Sequence, residues 1–245
     1  MDTRQLWLDL TPKGGPYRAE TFVNGQSNAL ARKALADWRN WPGGILALSG
    51  PAGCGKSHLA HLWARSSGAR PASLAQLPRT LDGVLLVQDL PDHMDELALF
   101  RIINAAADGA VRVLLSGRQP PRLWPVRMPD LHSRLAAMHH VQILEPDAVV
   151  LTGVLKKLFS DRQIVPDAPV IPYLLTRMER STAAALDIVE RIHALGHDQR
   201  RNVRLPLVRA VLAQIKTETR PAPDLFDCAP ARGGTPEKRP GHGCR

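Results

Sequence analysis

A chain of 245 residues has room for one α/β domain of ordinary size and a second, smaller unit. With 44% hydrophobic and 22% charged residues it is not disordered throughout, and with 4% aromatic residues its core must be aliphatic. The net charge of +9 admits nucleic acid or an acidic protein surface as a partner without choosing between them.

Residues 1–21 are mixed. Pro12, Gly14, Gly15 and Pro16 mark a flexible connector, and only Gln5 to Leu10 has a pattern, with apolar residues at alternate positions. Helical periodicity follows over 27–41 through Leu30, Ala34, Leu35 and Trp38, and Pro42 stops it. Ile45 to Ser49 reads as a buried strand, and Lys56 to about Arg65 as a helix. Residues 69–76 carry a weak strand signal. Val84 to Gln88 is a second buried strand, Leu97 to Ala107 a helix, Val111 to Ser116 a third strand and Val141 to Leu144 a fourth. Strands alternating with helices predict right-handed βαβ units and a parallel sheet.

After Pro146 no strand of consequence is expected. Helices are predicted at 147–162, 167–178, 181–195 (with Ser181 as its cap) and 204–217. The expected organisation is therefore an arm at 1–21, an α/β nucleotide domain at 22–146, a helical unit at 147–217 and a tail at 218–245 too poor in apolar residues to pack. Residues 190–216 hold six Lys or Arg against two acidic residues, densest at Arg200, Arg201, Arg204 and Arg209, a pattern that reads as a solvated helix face. Cys54, Cys228 and Cys244 lack framework spacing and point to a reducing compartment. Met1 to Gln5 has no signal-peptide pattern and no apolar run reaches membrane-spanning length. A cytoplasmic protein with no membrane partner is expected.

The segment with the most chemical content is Gly50-Pro51-Ala52-Gly53-Cys54-Gly55-Lys56-Ser57-His58. Gly50, four residues and then Gly55-Lys56-Ser57 fit the Walker A pattern of a P-loop, with a strand before it and a helix after it. Glycines let backbone N–H groups wrap a phosphate, and the helix adds its positive N-terminal end. Lys56 is expected at the β- and γ-phosphates and Ser57 on Mg²⁺. Asp89 ends the apolar run from Val84, where a Walker B aspartate that supports the metal would stand. Leu90 follows it, where many P-loop ATPases carry an acid that orients the attacking water. Slow intrinsic hydrolysis is expected.

Together these pieces resemble the DnaA-related AAA+ proteins, and among them the Hda-type regulators of replication initiation, over roughly residues 5–215. Phe22-Val-Asn-Gly25-Gln-Ser-Asn28 resembles the family's F-V-x-G-x-x-N segment beside the nucleotide. Ser116 falls where the family has its sensor 1 side chain. Met128-Pro-Asp-Leu-His-Ser-Arg134-Leu resembles the segment that carries the arginine finger, a planar and permanently charged group suited to a neighbour's nucleotide. Arg122 and Arg127 are rival candidates for that role. Arg180, in Met178-Glu-Arg-Ser-Thr-Ala-Ala-Ala-Leu, takes the sensor 2 position. Gln5, Leu6, Leu8 and Leu10 resemble the peptide by which such regulators bind the sliding clamp; the alternative for this stretch is a short edge strand on the domain itself.

The resemblance implies an α/β P-loop AAA+ domain with a parallel sheet flanked by helices, followed by a small all-helical lid. ADP or ATP and Mg²⁺ would be the ligands. The DNA polymerase sliding clamp and DnaA would be partners, with DNA reached through the clamp and self-association as a further option. The implied function is to promote hydrolysis of DnaA-bound ATP in trans through Arg134. Residues 218–245 do not read as the helix-turn-helix domain with which DnaA continues, so sequence-specific duplex binding is not expected. The alternative is a helicase-loader-like or DnaA-like adaptor that binds nucleic acid through Arg200 to Lys216 and turns over its own ATP. A free-standing enzyme acting on a small molecule finds no support in a His, Cys or carboxylate constellation.

Overall fold

The computed structural model describes residues 22–90, 94–195 and 202–219. Short apolar runs bounded by glycine, proline or a charged turn become buried strands: β1 (Ile45–Ser49), β2 (Arg70–Pro71), β3 (Gly83–Val87), β4 (Val111–Gly117) and β5 (His140–Gln142). All pair in parallel, in the order β2-β3-β4-β1-β5. Every residue of β1 is buried, as a central strand covered on both faces requires. Leu46 and Leu48 pack with Leu59, Trp63, Leu86 and Leu114 on one side of the sheet. Ile45, Leu85, Val87, Val113 and Leu115 pack with Leu99, Ile102 and Leu131 on the other.

The helices of this half are α1 (Gln26–Ala36), α2 (Lys56–Ser67), α3 (Glu96–Ala107) and α4 (Pro129–Ala137). Helix α1 ends five residues short of the predicted Trp41. At Asp37 the backbone leaves helical geometry, Trp38–Asn40 forms a single 3-10 turn, and the Trp41 indole N–H donates to the Ala34 carbonyl at 2.8 Å. That turn stacks Trp41 on Trp63 with ring centroids 5.3 Å apart, a contact that periodicity alone does not encode. The weak signal at 69–76 resolves into two-residue β2 and a 3-10 turn at Leu74–Gln76. Helix α4, which has proline at its first position, carries Arg134 and was not among the predicted helices. Strand β5 begins one residue early and ends two early, because the chain leaves the sheet. Ile143 N–H still donates to Ser49 at 2.8 Å, but Leu144 N–H turns to the Ser27 carbonyl at 3.1 Å.

Past Pro146 the chain forms α5 (Ala148–Asp161), α6 (Val170–Leu175), α7 (Thr182–Leu195) and α8 (Leu205–Thr219). Ser181 caps α7 as expected, its Oγ accepting from Ala184 N–H at 3.0 Å. Helix α6 is half the predicted length. A two-residue parallel pairing of β6 (Val165–Pro166) with β7 (Asn202–Val203) adds to the helices. Leu151, Leu155, Phe159, Leu174, Ile188 and Val211 gather a core of their own. Among the described residues no helix is long and apolar enough to cross a membrane.

Candidate functional site

Strand β1 runs straight into the phosphate-loop sequence, and the loop owes its path to glycine at two points. Gly50 has φ +156° and a Cβ there would lie 2.5 Å from the Ile143 carbonyl oxygen. Gly53 has φ +67° and a Cβ there would lie 2.8 Å from Ser181 Cβ. Gly55 is the N-cap of α2 and supplies no side chain, and no acidic residue occupies the helix's first turn. The positive end of α2 therefore faces the loop without a protein carboxylate to neutralise it.

Lys56 is only 7% exposed. Its ammonium donates to the carbonyls of Gly50 at 2.7 Å and Pro51 at 2.8 Å, which satisfies a charge that could not otherwise be buried. Cys54 lies beside it, Sγ 3.9 Å from Nζ. Burial pushes the Cys54 thiol above its ordinary value, and the Lys56 charge offsets only part of that. Cys54 is thus a neutral packing thiol rather than a nucleophile.

A 380 Å³ cavity opens on this loop. Gly53 to His58 form one wall. Phe22, Val23 and Asn28 form the second, with Phe22 edge-on to His58 at 5.2 Å between centroids. The third belongs to the helical unit: Val150, Val154, Lys157, Leu158 and Asp161 of α5, and Thr182 and Leu186 of α7. Gly25 caps α1 from the same segment, its N–H donating to Asn28 Oδ1 at 3.2 Å while Asn28 Nδ2 donates to the Val23 carbonyl at 2.9 Å. The two halves of the chain touch at the loop itself. Gly53 carbonyl accepts from Thr182 N–H at 2.9 Å and from the Thr182 hydroxyl at 2.8 Å.

The walls suit a nucleotide. One end offers backbone, a lysine and a helix N-terminus to phosphates, and the other offers aliphatic side chains to a flat ring. Among the described residues no group of three His, Cys, Asp or Glu could hold a metal ion. A Mg²⁺ here would fit the usual pattern in which the ion is borne mainly by phosphates and water, with the Ser57 hydroxyl as the ligand within the cavity.

Several predicted residues stand outside this cavity. Pro51 serves Lys56 through its carbonyl, and Ala52 lines a separate groove against α7. Asp89 is exposed, with φ +46°. Its N–H donates to Ser116 Oγ at 3.2 Å, so the two predicted groups are joined to each other, and Asp89 lines a different cavity with Leu90, Met94, Arg118 and Trp124. Ser116 itself is fully buried. Arg180 is exposed, its Nε donating to the Pro146 carbonyl at 3.5 Å, and Thr182 two residues on lines the cavity instead. Arg134 is exposed on α4. Its guanidinium lies 5.2 Å from the Phe100 ring centroid and makes no ion pair among the described residues. Arg122 is exposed on a 3-10 turn, and Arg127 donates its backbone N–H to Glu96 at 2.8 Å. Gln5, Leu6, Leu8 and Leu10 lie outside the described residues, as does the tail beyond residue 219.

Sequence reasoning missed the entire lid wall. Its signal was present in part, since 150, 154, 157, 158 and 161 share one face of a helix, but nothing local says what that face meets. His140 opens β5 half-buried, with Nε2 2.7 Å from Ser49 Oγ; burial first, then the charges of Arg122 and His139, hold its pKa below the ordinary imidazole value.

No protein-family model matches the chain. Among solved structures it is similar to domain III of the replication initiation protein DnaA from Thermotoga maritima, with a TM-score of 0.66 and 17% identity over 82% of this chain and 97% of that one. It is similar to AMPPCP-bound DnaA from Aquifex aeolicus, with a TM-score of 0.56 and 17% identity over 75% of this chain and 68% of that one. It is also similar to the Holliday junction branch migration motor RuvB of Thermotoga maritima, with a TM-score of 0.60 and 17% identity over 81% of this chain and 72% of that one. At such identities the likeness establishes the fold: a parallel five-stranded sheet with flanking helices, the AAA+ domain fold of DnaA and RuvB.

Proposed function

We propose that this chain is a nucleotide-binding AAA+ regulator of replication initiation, which holds ADP or ATP as a ligand and supplies Arg134 to ATP bound on DnaA. One observation carries the reading. The phosphate-loop cavity contains none of the chain's candidate finger or sensor arginines, whereas Arg134 stands exposed on α4 with no carboxylate partner among the described residues. A guanidinium so placed is available to a second molecule's nucleotide, and in phosphoryl transfer such a group is worth about three to five orders of magnitude in rate. The AAA+ fold and the similarity to AMPPCP-bound DnaA support the nucleotide itself. Bound Mg²⁺ would neutralise phosphate charge; Ser57 would hold it, with Asp89 acting at longer range from outside the cavity.

In this reading Gln5 to Leu10 dock on the DNA-loaded sliding clamp and bring Arg134 to DnaA. The test is a DnaA ATP-hydrolysis assay with and without clamp on DNA. Wild type should stimulate hydrolysis only with the clamp. Arg134→Ala should lose that stimulation by at least a hundredfold while keeping nucleotide and clamp binding; undiminished stimulation sinks the proposal.

A second reading draws on α8. Arg209 on it and Arg204 just before it are exposed, and Arg209 and Arg177 both lie over Tyr173, at 5.6 and 4.1 Å. A basic surface with an aromatic suits single-stranded nucleic acid and the adaptor alternative. Strong, salt-dependent binding to single strands without the clamp would favour it.

A further inference from the structure

Helix α5 changes character along the cavity. Its cavity-facing positions run Val150, Val154, Leu158 on the apolar side and then Lys157 and Asp161 toward the helix's end. The first turns are pinned to the segment before α1. A Cβ on Gly25 would collide with Val150 Cγ2, and one on Gly153 would lie 2.6 Å from Val23 Cγ1. Val23 therefore runs against the early turns of α5, and farther along the helix the cavity wall passes from apolar side chains to an ammonium and a carboxylate. Lys157 Nζ and Asp161 Oδ1 are 3.3 Å apart, an i,i+4 pair with side chains 34% and 53% exposed. Among the described ion pairs it alone has both partners on this cavity.

An exposed pair of this kind contributes little to stability. Its position gives it another use. A flat ring that enters between Val23 and the Val154–Leu158 strip buries its faces on aliphatic carbon and leaves its polar edge in need of partners. The pair supplies one acceptor and one donor side by side. Adenine's edge carries a 6-amino donor next to the N1 acceptor and a 6-oxo purine the reverse, so a base whose orientation is fixed by its phosphates in the loop and its faces on the walls meets the pair in one order only.

We infer that the Lys157–Asp161 pair selects the base of the bound nucleotide, Asp161 accepting from the 6-amino group of adenine and Lys157 donating to N1. The inference rests on the nucleotide reading of this cavity. It adds a specificity determinant in the lid that is independent of the phosphate loop.

Inosine diphosphate is the discriminating probe, since it differs from ADP in reversing that edge. Equilibrium titration of the full chain should show ADP bound at least roughly tenfold more tightly than inosine diphosphate, a modest ratio because the pair is partly wet. Asp161→Asn keeps the size and offers an amide that both donates and accepts, so the ratio should fall to within about threefold. Lys157→Gln should lower it similarly. Both side chains are partly exposed, and circular dichroism should show unchanged helix content. A wild type without preference overturns the inference, and so does an Asp161→Asn variant that keeps the wild-type ratio. Failure of the nucleotide reading looks different: wild type then binds neither compound, and both readings fall.

Discussion

Gly53 carries more of this molecule than its size suggests. Its φ of +67° belongs to the left-handed region, its carbonyl takes two hydrogen bonds from Thr182, and a Cβ would press on Ser181 at 2.8 Å. The backbone at 53 is thus the point where the phosphate loop and the lid adjust to each other. Gly53→Ala should cost about 1–2 kcal/mol for the left-handed backbone alone, and it should also push the lid off the loop. The expected outcome is a lower denaturation midpoint together with at least a tenfold loss of ADP affinity; a variant that loses stability but binds ADP as tightly would separate the loop from the lid. Of the predicted loop residues, Gly53 to His58 line one cavity, because a glycine-lysine-serine pattern dictates a local backbone, while Pro51 and Ala52 stand outside it. Sequence could not place Arg180. The choice between Arg180 and Thr182 depends on how α7 meets the loop, and the hydrogen bond from Arg180 to Pro146 is a contact between segments 34 residues apart.

Asp147 does at the scale of elements what Gly53 does at the scale of residues. One carboxylate oxygen caps α5 by accepting from Val150 N–H at 2.9 Å, and the other accepts from Ser27 N–H at the start of α1 at 3.0 Å. Those bonds, the one from Ser27 first, hold the Asp147 carboxyl below its ordinary value of 3.8. The sign follows: a folded pKa below the unfolded one means that this stabilisation is present above about pH 4 and is lost as pH falls through the folded value. Asp147→Ala should destabilise the protein by about 1–2 kcal/mol at pH 7, the upper range for a helix cap because two helix starts share it. In urea titrations the gap between variant and wild type should narrow as pH falls below about 4; a gap independent of pH would mean that packing, not the carboxylate, holds the two helices. Elements were legible where one signal dominated. Strands β1, β3 and β4 came out within a residue of their runs, because a central parallel strand must be apolar throughout. Helix α1 was overextended, α6 was twice too long and α4 was missed. Their ends are set by Trp41 on Trp63, by the β6–β7 pairing and by the packing of Leu131 and Leu135 into the sheet's core, none of which leaves a local signature.

The whole molecule is two cores that meet over a cavity. Leu46, Leu114 and Ile102 belong to the sheet and Phe159, Leu174 and Ile188 to the helical unit, with no buried residue common to both clusters. What joins them is local: Asp147 with Ser27, Arg180 with Pro146, Thr182 with the Gly53 carbonyl, and Val23 against Gly153 of α5. Such a junction is weak against either core, so the helical unit should unfold first on heating, as a separate calorimetric transition. A nucleotide that fills the cavity touches all three walls and so adds its binding free energy to the junction. At a hundredfold excess over its dissociation constant that is about 2.7 kcal/mol. For a unit of about 70 residues, the one that melts in the lower transition, it corresponds to a rise of roughly 10–20 °C, and the rise should fall on that transition, drawing it toward the upper one. Differential scanning calorimetry with and without ADP reads this directly. A shift confined to the upper transition would mean that the nucleotide is held by the sheet domain alone and that the lid wall, Lys157 and Asp161 included, stands clear of it. In Arg134→Ala the two transitions and their response to ADP should be those of wild type, because that side chain lies outside the cavity and its task, on the reading proposed, is on another molecule.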